Sequence, residues 1–135
     1  MSQTPDETDL AIRVMAMPAD TNASGDIFGG WLMAQVDIAG SIIARRRANG
    51  RIVTVAVDSF QFHQPVFVGD LVSCYASITR VGRTSLTVHV KAYAERQGTT
   101  HEIIQVTEAD LTYVAVDEQQ RPRPLAPADG YQSPV

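Results

Sequence analysis

Apolar residues recur along this chain with two different periods, and the change of period divides it into elements. Between about residues 27 and 48 they fall at helical spacing. Trp31, Leu32, Val36, Ala39, Ile42 and Ile43 share one broad face, and Met33 and Ile38 widen it. A helix apolar over that much of its surface must be covered by other elements. Ala34, Ala39, Gly40 and Ala44 are small, which lets it lie close against a sheet. The helix is expected to start at Ile27 or Gly30 and to end at Ala48. Arg45, Arg46 and Arg47 complement the negative end of its dipole there, and Asn49-Gly50 stops it. The remaining apolar segments are β-branched or alternate with period two. They run from Leu10 to Met17, Ile52 to Phe62, Leu71 to Arg80, Ser85 to Ala94 and Glu102 to Asp117. The segment from Ser85 alternates most cleanly. Leu86, Val88, Val90, Ala92 and Ala94 lie on one face, and Thr87, His89, Lys91, Tyr93 and Glu95 on the other.

Successive strands joined by short turns predict an antiparallel sheet, and one long helix covers only one face of it. The expected fold is therefore α+β: a strongly curved, five-stranded antiparallel sheet wrapped around one long central helix. Its long edge strands and open face ask for a second copy, so a dimer at least is expected. The domain should span residues 10–120, between a disordered N-terminal tail (1–9) and a Pro-rich C-terminal tail (121–135).

Composition narrows the classes of function. Hydrophobic content of 44% with 19% charged residues is that of a soluble globular protein. A net charge of −4 argues against a nucleic-acid partner, which needs a basic surface. Cys74 is the only cysteine and sits in an apolar run, so it reads as a packed thiol. The N-terminus is polar and unlike a signal peptide, and no apolar run reaches the ~18 residues of a membrane span. A cytoplasmic protein with no membrane partner is expected. No histidine has metal-ligand spacing with another His or Cys, and no Gly-x-Ser-x-Gly elbow is present, so neither a metal nor a serine mechanism is expected.

The stretch Asn22 to Trp31 carries the candidate chemistry. Gly29-Gly30 is a poor helix interior, but in a first turn it leaves backbone N–H groups open to another molecule. Those groups carry the positive end of the dipole and favour a negatively charged oxygen. Asp26 stands just ahead of them. On local sequence it either caps the helix or does chemistry on a carbonyl held there.

The run Pro18 to Met33, containing Gly25-Asp26-Ile27-Phe28-Gly29-Gly30, resembles the signature of bacterial hotdog-fold acyl-coenzyme A thioesterases and of their vertebrate cytosolic relatives. Val53 to Asp58, Phe62-His63-Gln64-Pro65, Val68-Gly69-Asp70, Val81 to Ser85 and Thr112 to Asp117 follow in the order and spacing of that family. The resemblance spans about residues 10–120. It implies the hotdog fold, subunits paired through their sheets, dimers that assemble into trimers of dimers, and an active site at the dimer interface. The implied activity is hydrolysis of acyl-CoA to a free acid and coenzyme A, with no cofactor beyond the coenzyme A of substrate and product.

Residue by residue, the resemblance makes Asp26 the general base or, alternatively, a nucleophile forming an anhydride. The N–H of Gly30, with Gly29, would polarise the carbonyl. Thr54 would orient water or substrate from the other subunit. Asn22 would either hold the loop or touch the substrate. Arg80, Gly82, Arg83, Thr84 and Ser85 match the family's nucleotide-binding block and would take the CoA phosphates. Asp37, a charge in an apolar helix, reads either as solvent-facing or as a buried structural group. A hotdog dehydratase is disfavoured, since no histidine lies between Asp26 and Gly50. A non-catalytic acyl-CoA-binding or regulatory module is the alternative from another class.

Overall fold

A computed structural model describes residues 4–98 and 101–127 of the chain. Its elements follow the two periods closely: β1 (Leu10–Met15), α1 (Gly29–Ala48), β2 (Ile52–Phe62), β3 (Leu71–Val81), β4 (Ser85–Arg96) and β5 (Glu102–Ala115). All strand pairs are antiparallel, in the order β1-β3-β4-β5-β2, and α1 touches every strand. The chain thus crosses from one edge, β1, to the other, β2, through α1, and then returns to β3 beside the first edge. No helix among the described residues is long and apolar enough to cross a membrane.

The core lies between α1 and the concave face of the sheet. Leu32, Val36, Ala39 and Ala44 meet Val72 and Cys74 from β3, Leu86, Val88 and Val90 from β4, and Val106, Leu111 and Tyr113 from β5. The apolar face expected for β4 is the buried one, from Leu86 through Ala94. Tyr93, expected on the solvent side, is buried too, because its ring stands edge-on to Tyr75 with centroids 5.7 Å apart. At the end of α1, Asn49 takes a left-handed conformation (φ 52°) and its N–H returns to Arg45 and Arg46 carbonyls, as the stop signal predicts.

Part of each expected tail is ordered. Glu7–Asp9 forms a 3₁₀ turn capped by Asp6, whose carboxylate accepts from Thr8 N at 2.9 Å. At the other end Arg123 Nη2 donates to Ala48 O at 3.1 Å, and Leu125 N donates to Arg83 O at 2.8 Å. Residues 1–3 and 128–135 of those tails lie outside the described residues.

β2 is the exposed edge. Its outward Val55 and Val57 are 54% and 40% accessible. A register shift between Thr54 and Ala56 leaves Val55 as an extra residue, a bulge that re-aims the side chains on either side. On the open side of α1, Phe28, Met33 and Ile38 are exposed as well. An apolar edge strand beside an apolar helix flank is the surface that a second copy would bury.

Candidate active site

The loop before α1 is built by Asn22. Its Oδ1 accepts from Ser24 N at 2.9 Å and Asp26 N at 3.1 Å, while its own N–H donates to Asp26 O at 2.7 Å. Gly25 turns the chain at φ +84°, where a side chain would be strained. The carboxamide oxygen of Asn22 is therefore committed to the loop. That loop delivers Asp26 to the helix entrance without making it a cap: the N-cap is Phe28, and no side chain caps the helix. The capping alternative for Asp26 is thereby closed. The first-turn amides of Gly29 and Gly30 remain uncapped, and Gly30 faces open space. Asp26, Phe28 and Gly29 line a cavity of about 250 Å³ together with Phe62, His63 and Gln64. Cavities that enclose a small molecule usually exceed about 300 Å³, so one protomer supplies part of a site.

Thr54 lies elsewhere. Its hydroxyl donates to Oδ1 of Asp37 at 2.9 Å, and the Tyr113 hydroxyl donates to the same oxygen at 3.0 Å and to the Asp37 carbonyl at 3.0 Å. Burial, then the Asp37 charge and the hydrogen bond to it, hold the Tyr113 phenol well above its ordinary value, so it stays a donor. Gly40 makes this contact sterically feasible, because a Cβ there would run into the Tyr113 hydroxyl. With both donors on Oδ1, Oδ2 is the oxygen of Asp37 left for a third partner among the described residues. Asp37 is thus neither of the two things expected of it: it is half-buried and held in one orientation by two hydroxyls.

The expected site residues therefore fall into separate groups within one protomer. Asp37 is eight residues along α1 from Gly29, roughly 12 Å of helix rise, too far for both to act on one carbonyl of the same subunit. Arg80, Gly82, Arg83, Thr84 and Ser85 form the β3–β4 hairpin, where Gly82 N donates to Ser85 O at 2.7 Å. Pairing of Leu86 with Tyr113 and of Tyr113 with Thr54 puts that hairpin on the Asp37 side of the sheet, away from Asp26. Arg80 and Arg83 are exposed.

Tyr113, His63 and Gln64 were missed from sequence. Tyr113 sits in an alternating strand like any core aromatic, and His63 reads as a turn residue before Pro65. A polar side chain on the core-facing phase of β5, opposite a helix glycine, was the available signal for Tyr113. Cys74 is fully buried and burial pushes its thiol up to about 12, so the packed-thiol reading holds.

A single helix cupped by a five-stranded antiparallel sheet, its uncapped N-terminus opening on a cavity, is the hotdog architecture. The thioesterase superfamily model matches residues 24–101, and the chain belongs to that family. It is 47% identical over 127 residues to the acyl-CoA thioester hydrolase YciA of Salmonella typhimurium, covering 93% of this chain and 95% of that one. The hexameric thioesterase y2039 of Yersinia pestis superposes with a TM-score of 0.86 at 47% identity, over 92% of this chain and all of that one. The Staphylococcus aureus acyl-CoA hydrolase, solved with butyryl-CoA and coenzyme A, gives 0.76 at 29% identity over 84% of this chain and 69% of that one. It has also been solved as alanine variants of an aspartate and of a threonine seventeen positions after it.

Proposed function

We propose that this acyl-CoA thioesterase hydrolyses its substrate with Asp37 as general base, Thr54 and Tyr113 as its orienting partners, and the Gly29–Gly30 amides of a neighbouring subunit as the oxyanion site. The enzyme class follows from the family and from relatives named for that reaction at 47% identity or more. The observation that carries the assignment of the base is the Thr54–Asp37 hydrogen bond, 2.9 Å long between residues seventeen apart. The same spacing separates the aspartate and threonine replaced in the Staphylococcus aureus enzyme. The only other Asp–Thr pair at that spacing in this sequence is Asp70 and Thr87, and Asp70 is buried in an ion pair with Arg96.

In this reading the thioester oxygen lies against the uncapped helix N-terminus, where amides and dipole stabilise the charge that develops on it. Water held by the free oxygen of Asp37 attacks the carbonyl carbon and gives up its proton to that carboxylate. Asp26, the base that the family resemblance implies, lines the cavity and orients substrate or water there. Arg80, Arg83 and the hairpin amides take the CoA phosphates. The reaction needs no resident cofactor, because coenzyme A arrives with the acyl group.

The separation of Asp37 from its own helix entrance fits a site shared between subunits, and the apolar β2 edge is where they would join. The chain is read as a homo-oligomer, with the hexamer of the Yersinia pestis relative as its model.

Free-thiol release from a panel of acyl-CoAs tests both levels. Wild type should turn over, Asp37→Asn should lose about 10³-fold or more in kcat, and Asp26→Asn should keep most of it. Binding of coenzyme A with no turnover would favour the non-catalytic module. Loss confined to Asp26→Asn would return the base to that residue.

A further inference from the structure

The run Arg121-Pro122-Arg123-Pro124-Leu125 after β5 is poor in amide donors, since the prolines have none. The N–H groups it does carry, at residues 121, 123 and 125, are all used. They donate to Asp117 Oδ1 at 2.9 Å, Ala115 O at 2.9 Å and Arg83 O at 2.8 Å. Each proline fixes its own φ and biases the arginine before it toward extended backbone. The run is therefore a stiff strap laid from the end of β5 to the β3–β4 hairpin.

The Arg123 side chain anchors that strap. Its Nε donates to Val116 O at 3.0 Å, and its Nη2 donates to Ala48 O, at the end of α1, at 3.1 Å and reaches Arg51 O at 3.5 Å. One guanidinium thus ties together the end of α1, the approach to β2 and the segment after β5. Its charge also faces the negative end of the helix dipole. Gly50 leaves room for it, because a Cβ there would lie 2.8 Å from Nη2.

We propose that Arg123 is a positioning residue for substrate binding: through the strap it fixes the β3–β4 hairpin, and with it Arg83, against the phosphates of coenzyme A. The proposal rests on the reading that this hairpin receives those phosphates. Two bonds hold the hairpin backbone from outside at Arg83 and Thr84. Arg83 O accepts from Leu125 N, and Thr84 O accepts from Ala115 N at 2.9 Å. Ala115 O accepts in turn from Arg123 N, so both supports meet at the strap. Arg83 is exposed, and its aim is set by the backbone beneath it. A long side chain on a backbone already held gives up less freedom when it closes on a phosphate.

A double-mutant cycle with Arg83 tests the role, because packing damage alone would not depend on the charge of the hairpin. Arg123→Gln should raise KM for an acyl-CoA about three- to tenfold, the cost of ordering one rotamer-rich side chain during binding. Its kcat should stay near wild type, and KM for the acyl-pantetheine thioester, which has no nucleotide phosphates, should not change. In an Arg83→Ala background the same substitution should raise KM by less than about twofold. Leu125→Pro removes the N–H that holds Arg83 O, leaves the Arg123 guanidinium in place, and should show the same selectivity. Misfolding would lower turnover of both thioesters, so acyl-pantetheine is the control for folding. Equal losses on both thioesters in both variants, full additivity with Arg83→Ala, or a wild-type KM for acyl-CoA in Arg123→Gln would overturn the proposal. A wild-type KM in Arg83→Ala itself would remove the hairpin reading and the proposal with it.

Discussion

Replacing Gly40 with alanine should test the Asp37 arrangement through packing alone. The added methyl would meet the Tyr113 hydroxyl head-on and lie 3.2 Å from its Cζ and 3.3 Å from its Cε2. Tyr113 is fully buried, so the ring has no free space to swing into. Forcing a methyl into a packed core costs about 1–3 kcal/mol. Displacing a hydroxyl from a charged acceptor costs about 1.5–3 kcal/mol. Better helix propensity returns about 1 kcal/mol. The net expectation for Gly40→Ala is a loss of about 1.5–5 kcal/mol, with kcat lowered about tenfold as Asp37 loses one of its two guides. In a Tyr113→Phe background the hydroxyl is gone, and the same substitution should cost less than about 1 kcal/mol. Urea unfolding of the four proteins at one fixed protomer concentration reads the coupling, and thiol release reads the activity. Equal costs in the two backgrounds, or a Gly40→Ala enzyme with wild-type stability and kcat, would refute the contact.

Three further outcomes are expected. Arg83→Ala should raise KM for acyl-CoA about tenfold while leaving that for the acyl-pantetheine thioester unchanged, since only the former carries the nucleotide phosphates. Native protein at pH 8 should resist alkylation at Cys74, whose thiol is pushed up to about 12, and labelling in urea should follow unfolding. Glu108 has its carboxyl lowered in the fold from 4.5, so it contributes stability in full above that value and loses it as pH falls through the lowered one. The stability gap between wild type and Glu108→Gln should therefore be constant near neutrality and close in acid, as read by urea midpoints across pH.

The elements were legible because each is fixed by a local period. The α1 stripe, the alternation from Leu86 to Ala94 and the Asn49-Gly50 stop all needed only neighbouring residues. Gly40 was recognised as small for close packing, and the structure supplies the partner, Tyr113. The pairings that make chemistry were not legible, because they join residues far apart in sequence. Asp37 meets Thr54 only because β2 runs back antiparallel along α1, and it meets Tyr113 only because the β2–β5 register sets that residue opposite Thr54. His63 reaches Glu108 through the same register, at the other end of β2. Asp26 drew notice for the opposite reason: its link to the helix entrance is entirely local. Locally it could equally have been a cap, and the family resemblance made it the base, whereas the orienting hydrogen bonds favour Asp37.

Mixing two inactive variants tests the shared site most directly. Asp37→Asn removes the base, and Gly30→Pro removes an amide at the oxyanion site while a first helical turn tolerates proline. If each site joins Asp37 of one subunit to the helix N-terminus of another, a mixed pair contains one site with both defects and one with neither. Co-refolded or co-expressed equal mixtures should then recover about a quarter of wild-type turnover. Activity no greater than the average of the two parent variants would contradict a site shared in this way.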